Sequence, residues 1–187
     1  SYAFATDASV STDFSQSYSL FIHADTLQMV TFHLNTDSVY REARAYHKVR
    51  VYRTDVQAVC DSLVFSSKDS CLTMYRDPIL WNKNQQLLGE EIRVYMNDST
   101  IDWAHIWNQA LSVERIDSAN YNQVSGKEMK AFFHNGEMNQ VDVDGSVRLV
   151  YYPMEKDSTL IGMNVSETSK LSIFLENRKL KRMVMSP

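Results

Sequence analysis

The sequence predicts an all-β protein, an elongated open jellyroll built from about five repeated antiparallel hairpin units. Three observations carry that prediction. Apolar and polar residues alternate over short runs, as in strands with one face in a core and one in water. In the stretch Val59–Trp81, Leu63 and Phe65 share one parity, Ser66–Ser70 forms a polar turn, and Leu72 and Met74 resume the alternation. A small residue also recurs three positions before an aliphatic one, at Ala24/Leu27, Cys60/Leu63, Gly89/Ile92, Gly126/Met129 and Gly162/Val165. The aliphatic positions fall 36, 29, 37 and 36 residues apart, and a near-constant period in this range marks a stacked repeat. Finally, the 10 Tyr, 8 Phe and 3 Trp sit mostly inside the alternating runs, where strands favour them.

Residues 1–17 are rich in Ser, Thr and Asp and are expected to be a loosely held lead-in. Residues 18–187 are expected to form a single repeat domain, part of a longer chain. Its first strand is Tyr18–Leu27, continuing through Met29 and Phe32 to a turn around Asn35–Ser38, with a return along Ala45–Arg53. The second unit, Val59–Trp81, is closed by Pro78, which cannot donate to a ladder and so marks an edge or bulge. The polar run Asn82–Gln86 leads into the third unit, Leu87–Met96.

Thr100–Asp117 is locally ambiguous. Trp103, Ile106, Trp107, Ala110 and Leu111 fall at helical spacing, whereas Leu111 and Val113 alternate; the repeat frame favours strand. In the fourth unit Met129, Ala131 and Phe133 run up to Asn135-Gly136, a strong hairpin dipeptide. The return passes Val141, Val143, Asp144-Gly145, Val147, Leu149 and Tyr151, and the internal Gly predicts a bulge. The fifth unit is Leu160–Val165 and Leu171–Leu175, then a turn at Glu176–Lys179 and a last strand, Leu180–Met185. Such units cannot bury an apolar face alone, and stacking their neighbours does. A fixed period with similar turns favours linear stacking over a closed barrel.

Composition excludes several function classes. With 44% hydrophobic and 22% charged residues the chain is not a disordered segment. The net charge is −4 with no polybasic tract, so nucleic acid is not an expected partner. An acidic partner screened by cations stays open. No apolar run is long enough to span a bilayer as a helix. The opening SYAFATDASV has the character of a trimmed start, compatible with export. Cys60 and Cys71, with Phe65 placed opposite Cys71, would lie about 17 Å apart along the ladder, too far for a bridge.

The residues offer little for catalysis. His23, His33, His47, His105 and His134 are scattered without metal-ligand spacing, so no metal and no cofactor are expected. His23 and Asp25 share a parity and read as a polar pair beside a turn. No GxSxG, HExxH, GxGxxG or P-loop motif is present. Asp61, Glu90, Glu91 and Glu128 sit at unit starts, where they keep the outer face soluble. A hydrolase would need two carboxylates converging in a cleft. Lys179–Arg182 beside Met183 and Met185 reads as a strand with basic residues out and apolar residues in.

One candidate site is then left, the apolar face. It comprises Leu27, Met29, Leu63, Phe65, Ile92, Val94, Met129 and Phe133, with Leu72, Met74, Val147 and Leu149 from return strands. These residues form either a dry core, as in a structural β-solenoid scaffold, or a groove that admits acyl chains. Nine Met residues make the face adaptable to irregular apolar guests.

The repeat also resembles a known family. Cys60-Asp61-Ser62-Leu63-Val64-Phe65 with Asp77-Pro78-Ile79-Leu80, Leu88-Gly89-Glu90-Glu91-Ile92, and Gly126-Lys127-Glu128-Met129 with Asp144-Gly145-Ser146-Val147 are similar to units of the OstA/LptA lipopolysaccharide-transport family. NQVSGKEMKAFFHNGEM followed by VDVDGSV resembles the OstA-like proteins of Bacteroidetes-type bacteria. The likeness runs over about residues 18–185. It implies a twisted β-jellyroll, or β-taco, in which an apolar inter-sheet groove carries the acyl chains of lipopolysaccharide, by its lipid A part, toward the outer membrane. It further implies a non-enzymatic, periplasmic protein that stacks end to end with itself or with other Lpt-type β-jellyroll proteins.

Overall fold

The chain is described by a computed structural model over residues 2–13, 19–52, 56–97, 100–135, 137–155, 159–176 and 179–187. The alternating pattern forms thirteen strands. They are β1 Tyr2–Asp13, β2 Ser19–Phe32, β3 Tyr40–Tyr52, β4 Gln57–Ser66, β5 Cys71–Tyr75, β6 Ile79–Asn82 and β7 Gln85–Leu88. After these come β8 Glu91–Asn97, β9 Thr100–Arg115, β10 Tyr121–His134, β11 Glu137–Tyr151, β12 Asn164–Glu176 and β13 Lys179–Ser186. All belong to one antiparallel sheet in the order β1-β2-β3-β4-β5-β8-β9-β10-β11-β12-β13, with β6 between β4 and β7, and β7 beside β9. Among the described residues there is no helix, hence none long and apolar enough to cross a membrane.

The all-β expectation holds, and Thr100–Arg115 is strand throughout. Its helical spacing combines two faces of the strand, with Ile106 and Ala110 buried and Trp103 and Trp107 on the opposite parity; a bulge lies at Asn108–Gln109, where both residues have positive φ (52° and 50°). Other expectations need correction. The stretch expected as a lead-in supplies β1, paired with β2 from Tyr2↔Val30 to Asp13↔Ser19. Ser66, not Phe65, stands opposite Cys71, because the turn is one residue tighter than expected. The return strand of the second unit is split at Pro78 into β5 and β6, and the third unit at Gly89–Glu90 into β7 and β8. Leu160–Val165 is not a strand of its own; Leu160 makes an isolated bridge to Met154, and β12 begins at Asn164. Of the hairpin dipeptide, Asn135 takes φ 52°, and Gly136 lies outside the described residues.

Bulges shape this sheet. Register shifts fall between His23 and Thr26, Tyr46 and Val49, Gly126 and Glu128, and Asp144 and Val147. The pairings carry them into one line across the strands, and the breaks at Arg76–Pro78 and Gly89–Glu90 lie on it. A bulge adds a residue, kinks its strand and increases twist. Gly145 at φ 82° makes the kink in β11, as its place in the run predicts. On β4 the buried parity changes across the line, from Ala58 and Cys60 to Leu63.

The pairings of β4, β5, β8, β9, β7 and β6 close into a six-strand ring. β5 and β6 follow one another along the same edge of β4, since β3 occupies the other edge, and β8 and β7 do the same along β9. The ring is therefore a slit in the sheet at the bulge line. Most of the core lies on one face of this sheet, and among the described residues no helix or second sheet covers that face. The bulge line divides the sheet into two parts, here its first and second leaves, whose buried residues belong to one apolar cluster.

Candidate functional site

The interior is assembled from rows of cross-strand neighbours. On the first leaf one row passes through Leu27, Ala45, Leu63, Met74, Ile92, Ile106, Met129, Val143, Leu171 and Met185 without interruption. The next row outward runs from Met29 through Ala43, Phe65, Leu72, Val94, Ala104, Ala131, Val141 and Ile173 to Met183. On the second leaf Ile22, Val51, Ala58, Leu80, Leu87, Ser112, Val124 and Leu149 form the matching row.

The proposed lining residues are thus brought together, but at different depths. Leu63, Met74, Ile92, Met129 and Val147 are at most 1% exposed, and Val94 and Leu149 are also buried. Leu27, Phe65, Leu72 and Phe133 are half-buried, and Met29 is 44% exposed. Burial is deepest in the middle of both rows: Leu63, Met74, Ile92, Val94, Ala104, Met129, Ala131 and Val141 are buried, whereas the row ends at Met29 and Met185 are 44% and 41% exposed. Val147 and Leu149 belong to the second leaf, whose other members, Val49, Val51, Ala58, Leu80, Leu87, Ala110 and Val124, were missed. The signal for them was present in the small-x-x-aliphatic spacing. Three positions reverse parity in a flat strand, so two inward residues at that spacing require a bulge between them.

The two rims differ chemically. The first leaf ends in Met96, Ile101, Phe133 and Met138, all half-buried. On the second leaf Gln85, Glu114 and Asn122 occupy the corresponding row. Gln85 Nε2 donates to Ser112 Oγ at 3.2 Å, Asn122 Nδ2 donates to Glu114 Oε2 at 3.1 Å, and the Tyr152 N–H donates to Asn122 Oδ1 at 2.9 Å. The outermost inward row is thus apolar on the first leaf and polar on the second.

The outer face at the bend holds the charged residues of the unit starts. Asp61 Oδ2 accepts from Ser62 Oγ at 2.7 Å, and Oδ1 lies 3.3 Å from His47 Nδ1. With Arg76 at 3.4 Å as well, the Ser62 bond, then His47 and Arg76, hold the Asp61 carboxyl below its ordinary range. Arg93 pairs with Glu91 at 2.6 Å, which raises the guanidinium pKa. Asp77, Glu90 and Glu91 line one cleft, the convergence that a hydrolase reading requires. Glu90 and Glu91 are already engaged, by the Asn108 and Gln109 amides and by Arg93. Among the described residues no group of three His, Cys, Asp or Glu is placed to hold a metal. His23 is exposed, and Asp25 pairs with Lys48 at 3.2 Å.

Cys60 and Cys71 are free and buried on opposite faces. Burial, helped by the Asp61 charge, pushes the Cys60 thiol up to about 12, and burial raises Cys71. No family model matches the chain, and no curated protein or solved structure matches it either.

Proposed function

We propose that this chain is a periplasmic lipopolysaccharide-binding transport module that holds lipid acyl chains between the leaves of an open β-jellyroll. The observation that carries the reading is the pair of unbroken apolar rows, buried through the central strands, with a half-buried apolar row of Met96, Ile101, Phe133 and Met138 beyond them. The motif resemblance supports it. Each buried acyl methylene contributes about 0.8 kcal/mol, which offsets extraction of the chain from a membrane. In this arrangement the acyl chains lie along Phe65, Leu72, Ile101 and Phe133, and the sugar head stays in water beside Gln85, Glu114 and Asn122. The residues beside the bend act as the rigid floor rather than as contacts.

The apolar rows end at Met183 and Met185 on β13, whose outer edge has no partner strand among the described residues. We assign that edge to end-to-end contact with a second copy or another β-jellyroll of the same kind. Lys181 is folded back on Glu176 at 3.1 Å, and Arg182 lies 4.5 Å over the Phe174 ring, so these charges are occupied on the sheet.

A fluorescent acyl probe tests the reading. Saturable binding, displaced by a lipid A analogue and weakened by Phe133→Asp, is expected. Absence of displacement under conditions where an established lipopolysaccharide carrier binds would sink the proposal. It would favour a second reading, a scaffold with a dry closed core, which the complete burial of Leu63, Met74, Ile92 and Ile106 favours.

A further inference from the structure

The slit in the sheet leaves a cleft of ≈870 Å³ on the outer face of the bend, among Tyr75, Arg76, Glu90, Glu91, Trp107 and Asn108. That volume is within the range of small-ligand sites. It exists because the ladder between β5 and β8 stops at Tyr75↔Glu91, and that between β6 and β7 stops at Ile79↔Leu88. Arg76–Pro78 and Gly89–Glu90 are therefore not paired across the gap. Arg76, Asp77 and Asn108, which line it, and Gln109 next to Asn108 hold φ of 62°, 54°, 52° and 50°. Left-handed backbone at non-glycine residues costs about 1 kcal/mol or more each, and here two such pairs face one opening.

Two aromatic rings flank the cleft. Glu91 is the cross-strand neighbour of both Tyr75 and Trp107, so the two rings stand two strand spacings apart, about 9.5 Å. Trp107 is 44% exposed and Tyr75 36%. Trp107 is braced edge-on by the His105 ring at 5.0 Å, and His105 Nε2 is fixed 3.1 Å from Glu128. Around the rings the polar groups are paired as donor and acceptor: Glu91 with Arg93, Glu90 with Asn108 and Gln109, Arg76 with Asp61.

We propose that this cleft binds an uncharged oligosaccharide, independently of what the interior holds. Sugar rings present C–H faces that pack on exposed aromatic planes, and two rings at this separation engage two sugars of one chain. Sugar hydroxyls donate and accept at once, which suits carboxylates already paired with guanidinium and amide groups. An acidic glycan would be repelled by Asp77 and by Glu90, which is held by the neutral Asn108 and Gln109 amides, and a cationic peptide is the competing occupant that the test separates.

The test titrates the full chain with cellotetraose and N-acetylchitotetraose, by calorimetry and by intrinsic Trp fluorescence. Saturable binding of one of them is expected. Trp107→Ala and Tyr75→Ala should each weaken it about ten-fold, as the loss of one stacking contact does, and Phe21→Ala, at an exposed ring elsewhere, should leave it unchanged. Unaltered thermal midpoints and unaltered acyl-probe binding in the same variants separate this site from the interior. The proposal is overturned if neither saccharide binds at millimolar concentration, or if Trp107→Ala leaves binding intact. It is equally overturned if an oligolysine peptide binds in a Trp107-dependent way and no saccharide does.

Discussion

At Gly126 a β-carbon would stand 2.5 Å from Val143 Cγ1 and 3.1 Å from the Asp144 carbonyl; at Gly89 it would run into Ile106 Cγ2. At Gly89 and Gly126 the small residue of the motif is thus required by the close approach of the next strand at the bend. Gly162, which carries the same motif spacing, meets nothing within 4 Å. Gly126→Ala should therefore destabilise the protein by about 1–3 kcal/mol through overpacking. Gly162→Ala should change stability by no more than about 0.5 kcal/mol. Urea midpoints compare the two directly, and equal effects would contradict the role given to the bend.

Asp61 titrates at the same place. Its carboxyl is depressed in the folded protein by Ser62, His47 and Arg76. Its contribution to stability is thus fully present above the unfolded value of about 3.9 and is lost as pH falls through the lower folded value. Asp61→Asn should flatten the loss of stability below about pH 4 and leave stability above pH 6 with little pH dependence from this residue. Denaturant midpoints from pH 2.5 to 7 measure it. Cys60 behaves in the opposite sense: with its thiol pushed up to about 12, it should resist iodoacetamide at pH 8 until the chain unfolds. Rapid native alkylation at Cys60 would show that the bend opens.

At the scale of elements, bulges separate what the sequence made legible from what it hid. Alternation in Val141–Tyr151 and Met129–Phe133 located β10 and β11, and Gly145 announced its own bulge. Asn108–Gln109 gave no comparable sign, since neither residue is glycine and the bulge preserves inward parity from Ile106 to Ala110. The helical spacing of β9 came from apolar residues on both faces, Ile106 and Ala110 buried and Trp103 and Trp107 on the opposite parity. The fifth motif, Gly162/Val165, had the right residues in the wrong context: Val165 is 47% exposed and lies outside the bend. Four motifs in register reflect the line of the fold, and the fifth does not. Which positions face inward was legible in part for the same reason: the expected residues follow the first-leaf parity on most strands and the second-leaf parity, at Val147 and Leu149, on β11, and no strand was followed across the bend.

Strand position also sets local stability. β9 and β10 are paired on both edges, whereas β13 is paired on one edge only and is exposed along most of its length. Amides of β9 and β10 should exchange slowest, near the global unfolding limit, and those of β13 fastest. Hydrogen exchange read by mass spectrometry resolves the order. Protection of β13 that rises with protein concentration would mark an edge-to-edge contact between copies.

For the whole molecule, the apolar rows are buried through the central strands and more exposed at their ends and in the outermost row. The proposed carrier role would use that difference, with a firm floor to hold the sheet and an adaptable mouth to accept chains of variable length. Leu63→Ala or Ile106→Ala at the floor should cost about 2–5 kcal/mol of stability, and Phe65→Leu at the mouth should cost far less. The most direct measurement of the central proposal is positional photo-crosslinking. A photoreactive residue is placed in turn at Phe65 and Phe133 in the mouth, at Met129 on the floor and at Trp103 on the outer face. The account predicts lipid A adducts from Phe65 and Phe133, few from Met129 and none from Trp103. Equal labelling at Trp103 and Phe65, or no adduct at either mouth position, would contradict it.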